Sequence, residues 1–345
     1  MNRFAIRAPN WLGDAVMALP AMAAIREAFP DVTLTVAAIP SVAPIFNEQT
    51  MAAADDVLTV PDPRRESGAL KGKGIDSIVL LPNSFRTAWS ARSAGIPERW
   101  GYGANLRGWT LTRSVKRPST RVHQCTYYLD LVRGLGFTAE DRVPRVVVTR
   151  ATQAKADRLL DQHGVRPESR LVGFAPGAAY GHGKRWPPRR VADVIVRVTR
   201  ETGALCVLLG AAGDRDAGRE IESSLPADVR SLNLIGRTDL GALAGVLARA
   251  SAFVSNDSGG MHLAAAVGVP VTAIFGATDE RVTSPRGEPG THDILVEPVF
   301  CRPCMLRDCP IDHRCMKRIT ADRVFDAVAR HLTAGHAEVR RESRA

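Results

Sequence analysis

The sequence predicts an α/β protein made of two doubly wound parallel sheets in tandem, with a first domain over residues 1–165 and a second over 166–345. Three observations predict it. Apolar, β-rich runs alternate with stretches of helical periodicity along most of the chain, which is the grammar of βαβ units. The alternation blurs after residue 99 and starts afresh near residue 171, so the series is written twice. At 345 residues, 45% of them hydrophobic and 24% charged, the chain has apolar surface for two ordinary cores.

In the first domain, residues 3–9 read as a strand, 15–29 as a helix, and 32–39, 56–60 and 76–81 as further strands. Residues 99–121 read as an irregular, basic surface excursion before a helix over 123–135. Residues 144–149 look like the last strand of this domain, and the helix over 151–163 leads into the second. There the expected strands are 171–175, 204–209, 232–235, 252–255 and 271–275. The helices between and after them are 189–200, 216–224, 240–249 and 261–267, with a final helix over 321–332. Two such sheets are expected to leave a cleft between them.

The formal net charge of +10 favours an acidic partner: nucleic acid, an anionic membrane surface or a phosphorylated saccharide. Nucleic acid is disfavoured, because no zinc-finger, RRM, KH or helix-turn-helix signature is present and the arginines are scattered with few aromatics between them. No apolar run reaches the roughly 20 residues needed to span a bilayer, and the chain opens on a strand instead of a signal peptide. A cytoplasmic location is expected.

Ligands of doubly wound sheets bind outside the carboxyl ends of the strands, so the loops there are where chemistry is sought. Residues 255–262, Ser-Asn-Asp-Ser-Gly-Gly-Met-His, follow an apolar strand and open a helix. Ser258 suits the N-cap, and the N–H groups of Gly259, Gly260 and Met261 would leave the helix start with its dipole behind them. That is an anion site, to which His262 adds a donor; the alternative is an ordinary capped helix. The glycine-rich loop 173–187 brings Lys184 and Arg185 to the same sheet edge. Cations there stabilise a departing diphosphate more than a bound one, unless the pair merely solvates a loop.

A third strand end, residues 209–216, suits a nucleoside: small residues admit a base or ribose, and Asp214 or Asp216 can bind ribose hydroxyls, although Asp216 also suits the next helix N-cap. In the first domain Asp14 follows the first strand, where a carboxylate can deprotonate an acceptor hydroxyl or simply cap the helix. Asn83, Ser84 and Arg86 follow another strand and offer polar donors to the same cleft.

These segments together resemble glycosyltransferase family 9, the ADP-heptose:lipopolysaccharide heptosyltransferases, and within it the heptosyltransferase II group. The matching pieces are the strand-loop-helix with Gly13 and Asp14, the LPNSFR run at 81–86, the PGA…KRWP segment at 176–187, and NDSGGMH at 256–262. The resemblance implies a GT-B-like fold, two Rossmann-type domains facing each other across a cleft. It implies an inverting transfer of L-glycero-D-manno-heptose from ADP-heptose to the first heptose of heptosyl-Kdo-lipid A in the lipopolysaccharide inner core. By that analogy Asp14 is the catalytic base, Lys184 contacts the donor phosphates, and Asp257, Ser258, Gly259 and His262 bind donor sugar and diphosphate. Where relatives carry hydroxyl side chains before the lysine, this chain has Ala178, Ala179 and Tyr180, so those contacts are not carried over. An anionic acceptor accounts for the basic residues Arg86, Arg92, Arg107, Arg113, Lys116, Arg117 and Arg121, expected to hold it at the inner membrane surface without insertion. The runner-up reading is a nucleotide-sugar epimerase of the same fold, or a family 9 transferase with another sugar or acceptor.

No cofactor is expected for catalysis. Cys301, Cys304, Cys309 and Cys315, spaced C-x2-C-x4-C-x5-C, are a candidate structural zinc site in which His313 could replace one sulfur. The alternative is a set of small buried residues in a C-terminal turn.

Overall fold

The computed structural model describes residues 2–60, 62 and 64–342, with side chains as far as Thr333. The chain divides into two compact units, Met1–Val147 and Val148–Ala345. The division falls earlier than the expected 165/166 because the helix Arg150–Asp161 packs on the helix Leu240–Ala248 and so belongs to the second unit. Their approach is close: a Cβ on Gly245 would stand 2.5 Å from that of Ala156. Asp239 caps the later helix by accepting from Ala242 N at 2.8 Å, while its carboxylate also pairs with Lys155 of the earlier one.

The first unit contains β1 (Arg3–Arg7), β2 (Thr33–Ala38), β3 (Gln49–Thr50), β4 (Asp56–Thr59), β5 (Ser77–Leu80), β6 (Glu98–Tyr102), β7 (Arg113–Val115) and β8 (Val146–Val147). Six of them form one sheet in the order β4-β2-β1-β5-β6-β7, and every pairing in it is parallel. The central strands are buried along almost their whole length, as a sheet covered on both faces requires. Residues 99–121 are thus not simply an excursion. β6 and β7 close this edge of the sheet, and the periodicity is lost because β7 is an exposed edge strand with polar side chains. Residues 144–149 do not extend the sheet either: only β8 forms, antiparallel to β3 in a separate ribbon.

The second unit holds β9 (Leu171–Ala175), β10 (Leu205–Leu208), β11 (Ser231–Asn233), β12 (Ala250–Asn256), β13 (Val271–Phe275) and β14 (Asp293–Val296). They pair in parallel in the order β11-β10-β9-β12-β13-β14, with β14 an edge strand that the sequence pattern does not announce. The helix Pro188–Thr202 begins on proline, whose missing N–H costs nothing at a first turn, and stops at Gly203 with φ 69°. Its Val191, Val194, Ile195 and Val198 enter the core beside Phe174, Trp186 and the buried face of the C-terminal helix Ala321–Glu342.

Strand order reverses between β1 and β5 in the first sheet and between β9 and β12 in the second. Neighbouring crossovers leave in opposite directions at such a point, so a crevice opens at the carboxyl ends of those two strands. Asp14 and Asn83 follow β1 and β5; Lys184 and Asp257 follow β9 and β12.

Candidate functional site

In the second unit the lysine is held by ionic and hydrogen-bonded partners. Lys184 Nζ donates to Asp257 Oδ2 at 2.6 Å, and Thr278 Oγ1 donates to the same oxygen at 2.7 Å. The lysine and aspartate side chains are 14% and 5% exposed, and the ammonium also lies 4.9 Å from the centre of the Tyr180 ring. This cluster joins three strand ends, those of β9, β12 and β13. Thr278 has no motif to announce it, since a threonine after a strand has no distinctive spacing.

The loop carrying Lys184 is fixed by the residues on its C-terminal side. Trp186 is 1% exposed in the core and donates from Nε1 to Ile319 O at 3.1 Å, while its backbone N–H donates to Asn256 Oδ1 at 3.1 Å. Asn256 in turn donates from Nδ2 to Pro176 O at 2.7 Å, so the β9 and β12 loops are locked together. Arg185 points to Asp214 at 3.4 Å, and a Cβ on Gly177 would overlap that carboxylate at 2.0 Å. Asp214, 13% exposed at its side chain, takes the N-cap position of the helix Arg215–Ser223 and accepts from Ala211 N at 3.2 Å. Asp216 is therefore not the cap: it lies in the first turn, exposed and paired with Arg219.

The helix Gly259–Ala266 starts as expected, with Ser258 extended at the N-cap position. Its hydroxyl makes no cap hydrogen bond and meets Ser255 Oγ at 3.0 Å instead. The Ser258 side chain therefore does not cap the N–H groups of Gly260 and Met261, which have the positive end of the helix dipole behind them. His262 is buried, at 5% exposure, within the first turn.

The four-cysteine segment lies against the lysine loop. Gly183 N donates to Arg307 O at 2.6 Å, His313 Nε2 lies 3.1 Å from Gly183 O, and Tyr180 OH donates to Met305 O at 2.9 Å. Only glycine fits at 183, where a Cβ would stand 2.5 Å from Leu306 O. Arg302 reaches the β13 loop, donating to Gly276 O at 3.1 Å and Thr278 O at 3.0 Å. Cys301, Cys304, Cys309 and Cys315 are free thiols that line one small cavity with Gly183 and His313. Burial, and then the neighbouring thiols, push the Cys315 thiol up. Among the described residues no group of three or more His, Cys, Asp or Glu is placed to hold a metal ion.

In the first unit, Asp14 is the third residue of the helix Leu12–Met17, whose N-cap is Trp11, so it is not a cap. Its Oδ1 accepts from Tyr128 OH at 3.2 Å. Tyr128 is 4% exposed; burial first, and then the Asp14 charge, hold the phenol well above its ordinary range, so it stays a protonated donor. The adjacent Tyr127 accepts from Asn83 Nδ2 at 2.7 Å. Two consecutive phenols of the helix Gln124–Gly134 thereby reach the β1 and β5 loops, a role that no linear pattern marks. Behind them the buried pair Arg7–Glu66, at 2.6 Å, carries a guanidinium that donates to Asn10 Oδ1 at 2.9 Å and steadies the loop before Asp14.

Ser84 accepts from Thr87 N at 3.2 Å and caps the helix Phe85–Ser93, and Arg86 is exposed beside it. The expectation that Arg107 meets an acceptor is corrected. Its side chain is wholly buried, donating to Tyr102 O at 2.8 Å, to Pro82 O and to Asn83 Oδ1 at 3.4 Å, and burial lowers its pKa to about 10. Arg107 shapes the β5 loop from below. Arg92, Arg113, Lys116, Arg117 and Arg121 are exposed.

Comparison with known proteins places this geometry. The model of glycosyltransferase family 9 (heptosyltransferase) matches residues 64–314. Lipopolysaccharide heptosyltransferase 2 of Escherichia coli K12 is 30% identical over 292 residues, 80% of this chain and 83% of its own. Lipooligosaccharide heptosyltransferase 2 of Haemophilus influenzae is 28% identical over 315 residues, 84% of this chain and 87% of its own. The solved structure of E. coli ADP-heptose lps heptosyltransferase II superposes with a TM-score of 0.82 at 25% identity, covering 97% of this chain and 99% of that one. The fold is that of the GT-B heptosyltransferases, two parallel-sheet Rossmann-like domains. No helix among the described residues is long and apolar enough to cross a membrane.

Proposed function

Because this chain belongs to glycosyltransferase family 9, the heptosyltransferases, and is a glycosyltransferase, we infer that it transfers L-glycero-D-manno-heptose from ADP-heptose to heptosyl-Kdo-lipid A in lipopolysaccharide inner-core synthesis. The observation that carries this reading is the Lys184–Asp257–Thr278 cluster beside the helix start at Gly259, at the switch point of the second sheet. A nucleoside diphosphate suits it: the helix start and Lys184 answer the phosphates, and Asp214 lies where a ribose would be met.

In this reading Asp14 takes the proton of the acceptor hydroxyl as its oxygen attacks the anomeric carbon. The bond from that carbon to the diphosphate breaks, and ADP leaves with the electron pair. A single displacement of this kind inverts the anomeric centre. Charge grows on the leaving diphosphate, so Lys184 stabilises the transition state more than the bound donor. Tyr128, a neutral donor, orients the Asp14 carboxylate without cancelling its charge. The acceptor is an anionic glycolipid, which makes the enzyme a peripheral partner of the membrane surface. In this reading transfer needs no metal, and the 301–315 segment serves the site by bracing the Lys184 loop through its backbone contact at Gly183.

The test is direct. Purified protein given ADP-heptose and heptosyl-Kdo-lipid A should release ADP and add one heptose mass to the acceptor. An isomerised sugar nucleotide from the donor alone, with no gain of mass on the acceptor, would mark an epimerase instead.

A further inference from the structure

From residue 77 to residue 129 the chain carries a single acidic side chain, Glu98, against eight basic ones. Within this stretch the helix Phe85–Ser93 and the turn Gly108–Thr110 present Phe85, Trp89 and Trp109 to solvent, 41%, 46% and 59% exposed. The three rings touch one another, with centroids 6.0–6.2 Å apart, and form one aromatic surface instead of scattered side chains. The Arg92 guanidinium lies 5.3 Å from the centre of the Trp109 ring, and Arg86 is exposed on the same helix.

Next to Trp109 the chain does something costlier. Asn105 and Leu106 both sit in the left-handed region, at φ 51° and 58°, where a bulky residue such as leucine is strained. That turn leaves Leu106 89% exposed, and the wholly buried Arg107 anchors it from beneath through the carbonyls of Tyr102 and Pro82. A leucine held out of the protein by a strained turn on a buried guanidinium gains nothing from water. It gains if the medium outside is apolar.

We propose that Leu106, Trp109, Trp89 and Phe85, ringed by Arg86 and Arg92, are a docking surface for an anionic bilayer. Indole rings settle at the headgroup level, leucine enters the acyl boundary, and the arginines meet lipid phosphates. One kind of attraction alone binds a membrane weakly; an apolar wedge combined with a nearly acid-free basic field supplies two. The charge complementarity selects the bilayer over a second copy of this chain, whose identical patch would bring arginines against arginines. The inference deepens the reading of a lipid-anchored acceptor and rests on it for its purpose, but its test uses no acceptor.

The full-length protein is sedimented with vesicles of phosphatidylethanolamine and phosphatidylglycerol, and separately with phosphatidylcholine alone. Binding is expected to the anionic vesicles, weakening as salt is raised, with little to the zwitterionic ones. Leu106→Ser and Trp109→Ser together should weaken it at least tenfold. Both sites are surface positions, and an unchanged melting temperature with unchanged transfer to a delipidated, water-soluble acceptor would show that the fold is intact. Vesicle binding that survives the double substitution overturns the proposal. So does a failure to bind anionic vesicles, including the case in which sedimentation velocity shows a dimer that the substitutions dissolve. Loss of heptose transfer with vesicle binding intact would sink the catalytic reading and leave this one standing.

Discussion

The two switch points hold their principal charged side chains in different ways. Asp14 is half-buried and accepts from a neutral phenol, Tyr128 at 3.2 Å. Lys184 is held by the opposite charge of Asp257 at 2.6 Å, with Thr278 on the same oxygen and a loop locked by Trp186 and the 301–315 segment. The difference suits their proposed tasks. A neutral donor orients a carboxylate without adding a charge of its own, whereas a cation that awaits a diphosphate is spared an unpaired state by a carboxylate. It also means that the two residues should fail differently when removed.

The largest effect is expected at the first switch point. Asp14→Asn keeps the size and the contact with Tyr128 but removes the base, so kcat should fall by about 10²–10⁴ with ADP affinity unchanged. Retention of near-normal kcat would strip Asp14 of its role and erase the contrast between the two switch points. Isothermal titration with ADP beside steady-state kinetics separates the two quantities.

At the second switch point catalysis and stability should fall together. Lys184→Ala is expected to lower kcat by roughly 10²–10³ and to weaken ADP binding. It also leaves a buried carboxylate without its cation, so the melting temperature should drop. Adding Asp257→Ala should restore part of the stability and none of the activity. A single variant that melts early but turns over normally would make the pair purely structural.

The smallest effect sharpens the comparison without breaking it. Tyr128→Phe removes one hydrogen bond to a charged group, about 1.5–3 kcal/mol, so kcat should fall by at most roughly 10- to 150-fold with ADP binding intact. The same phenol makes a prediction about pH. Its folded pKa is raised, so folding keeps the proton; the associated stability is full below the unfolded value near 10 and declines as pH rises above it. Denaturation at pH 9 and 11 should show a smaller alkaline loss in Tyr128→Phe than in the parent. Equal losses would mean that the phenol is not held as the geometry indicates.

The alkaline slope has a second contributor in Tyr102, also raised chiefly by burial, so the substitution should reduce the loss without abolishing it. Tyr102 donates to Tyr127 O at 2.7 Å and belongs to the same knot of rings behind the β5 loop.

The sequence by itself determined the parts that depend on local chemistry. Alternating β and helical runs wrote the two sheets, because a period of two or 3.6 residues is visible in a linear string. Gly259 and Gly260 after an apolar strand marked the helix start, and Asp14 and Lys184 stood out because they come after strands. Tertiary structure alone decided what these groups touch. Tyr128 lies 114 residues from Asp14 and reaches it because their two helices pack together, while Thr278, 21 residues from Asp257, meets it at a shared sheet edge. The same holds for the corrections. Arg107 reads as a surface cation in a basic run, yet carbonyls from Tyr102 and Pro82 converge on it and make burial tolerable. β7 hides in a polar stretch because an edge strand needs only a neighbour's hydrogen bonds and no apolar face of its own. The four cysteines were legible as a cluster, but their bearing on Lys184 arises from backbone contacts at Gly183, which take no side chain and so leave no mark in the sequence beyond a glycine.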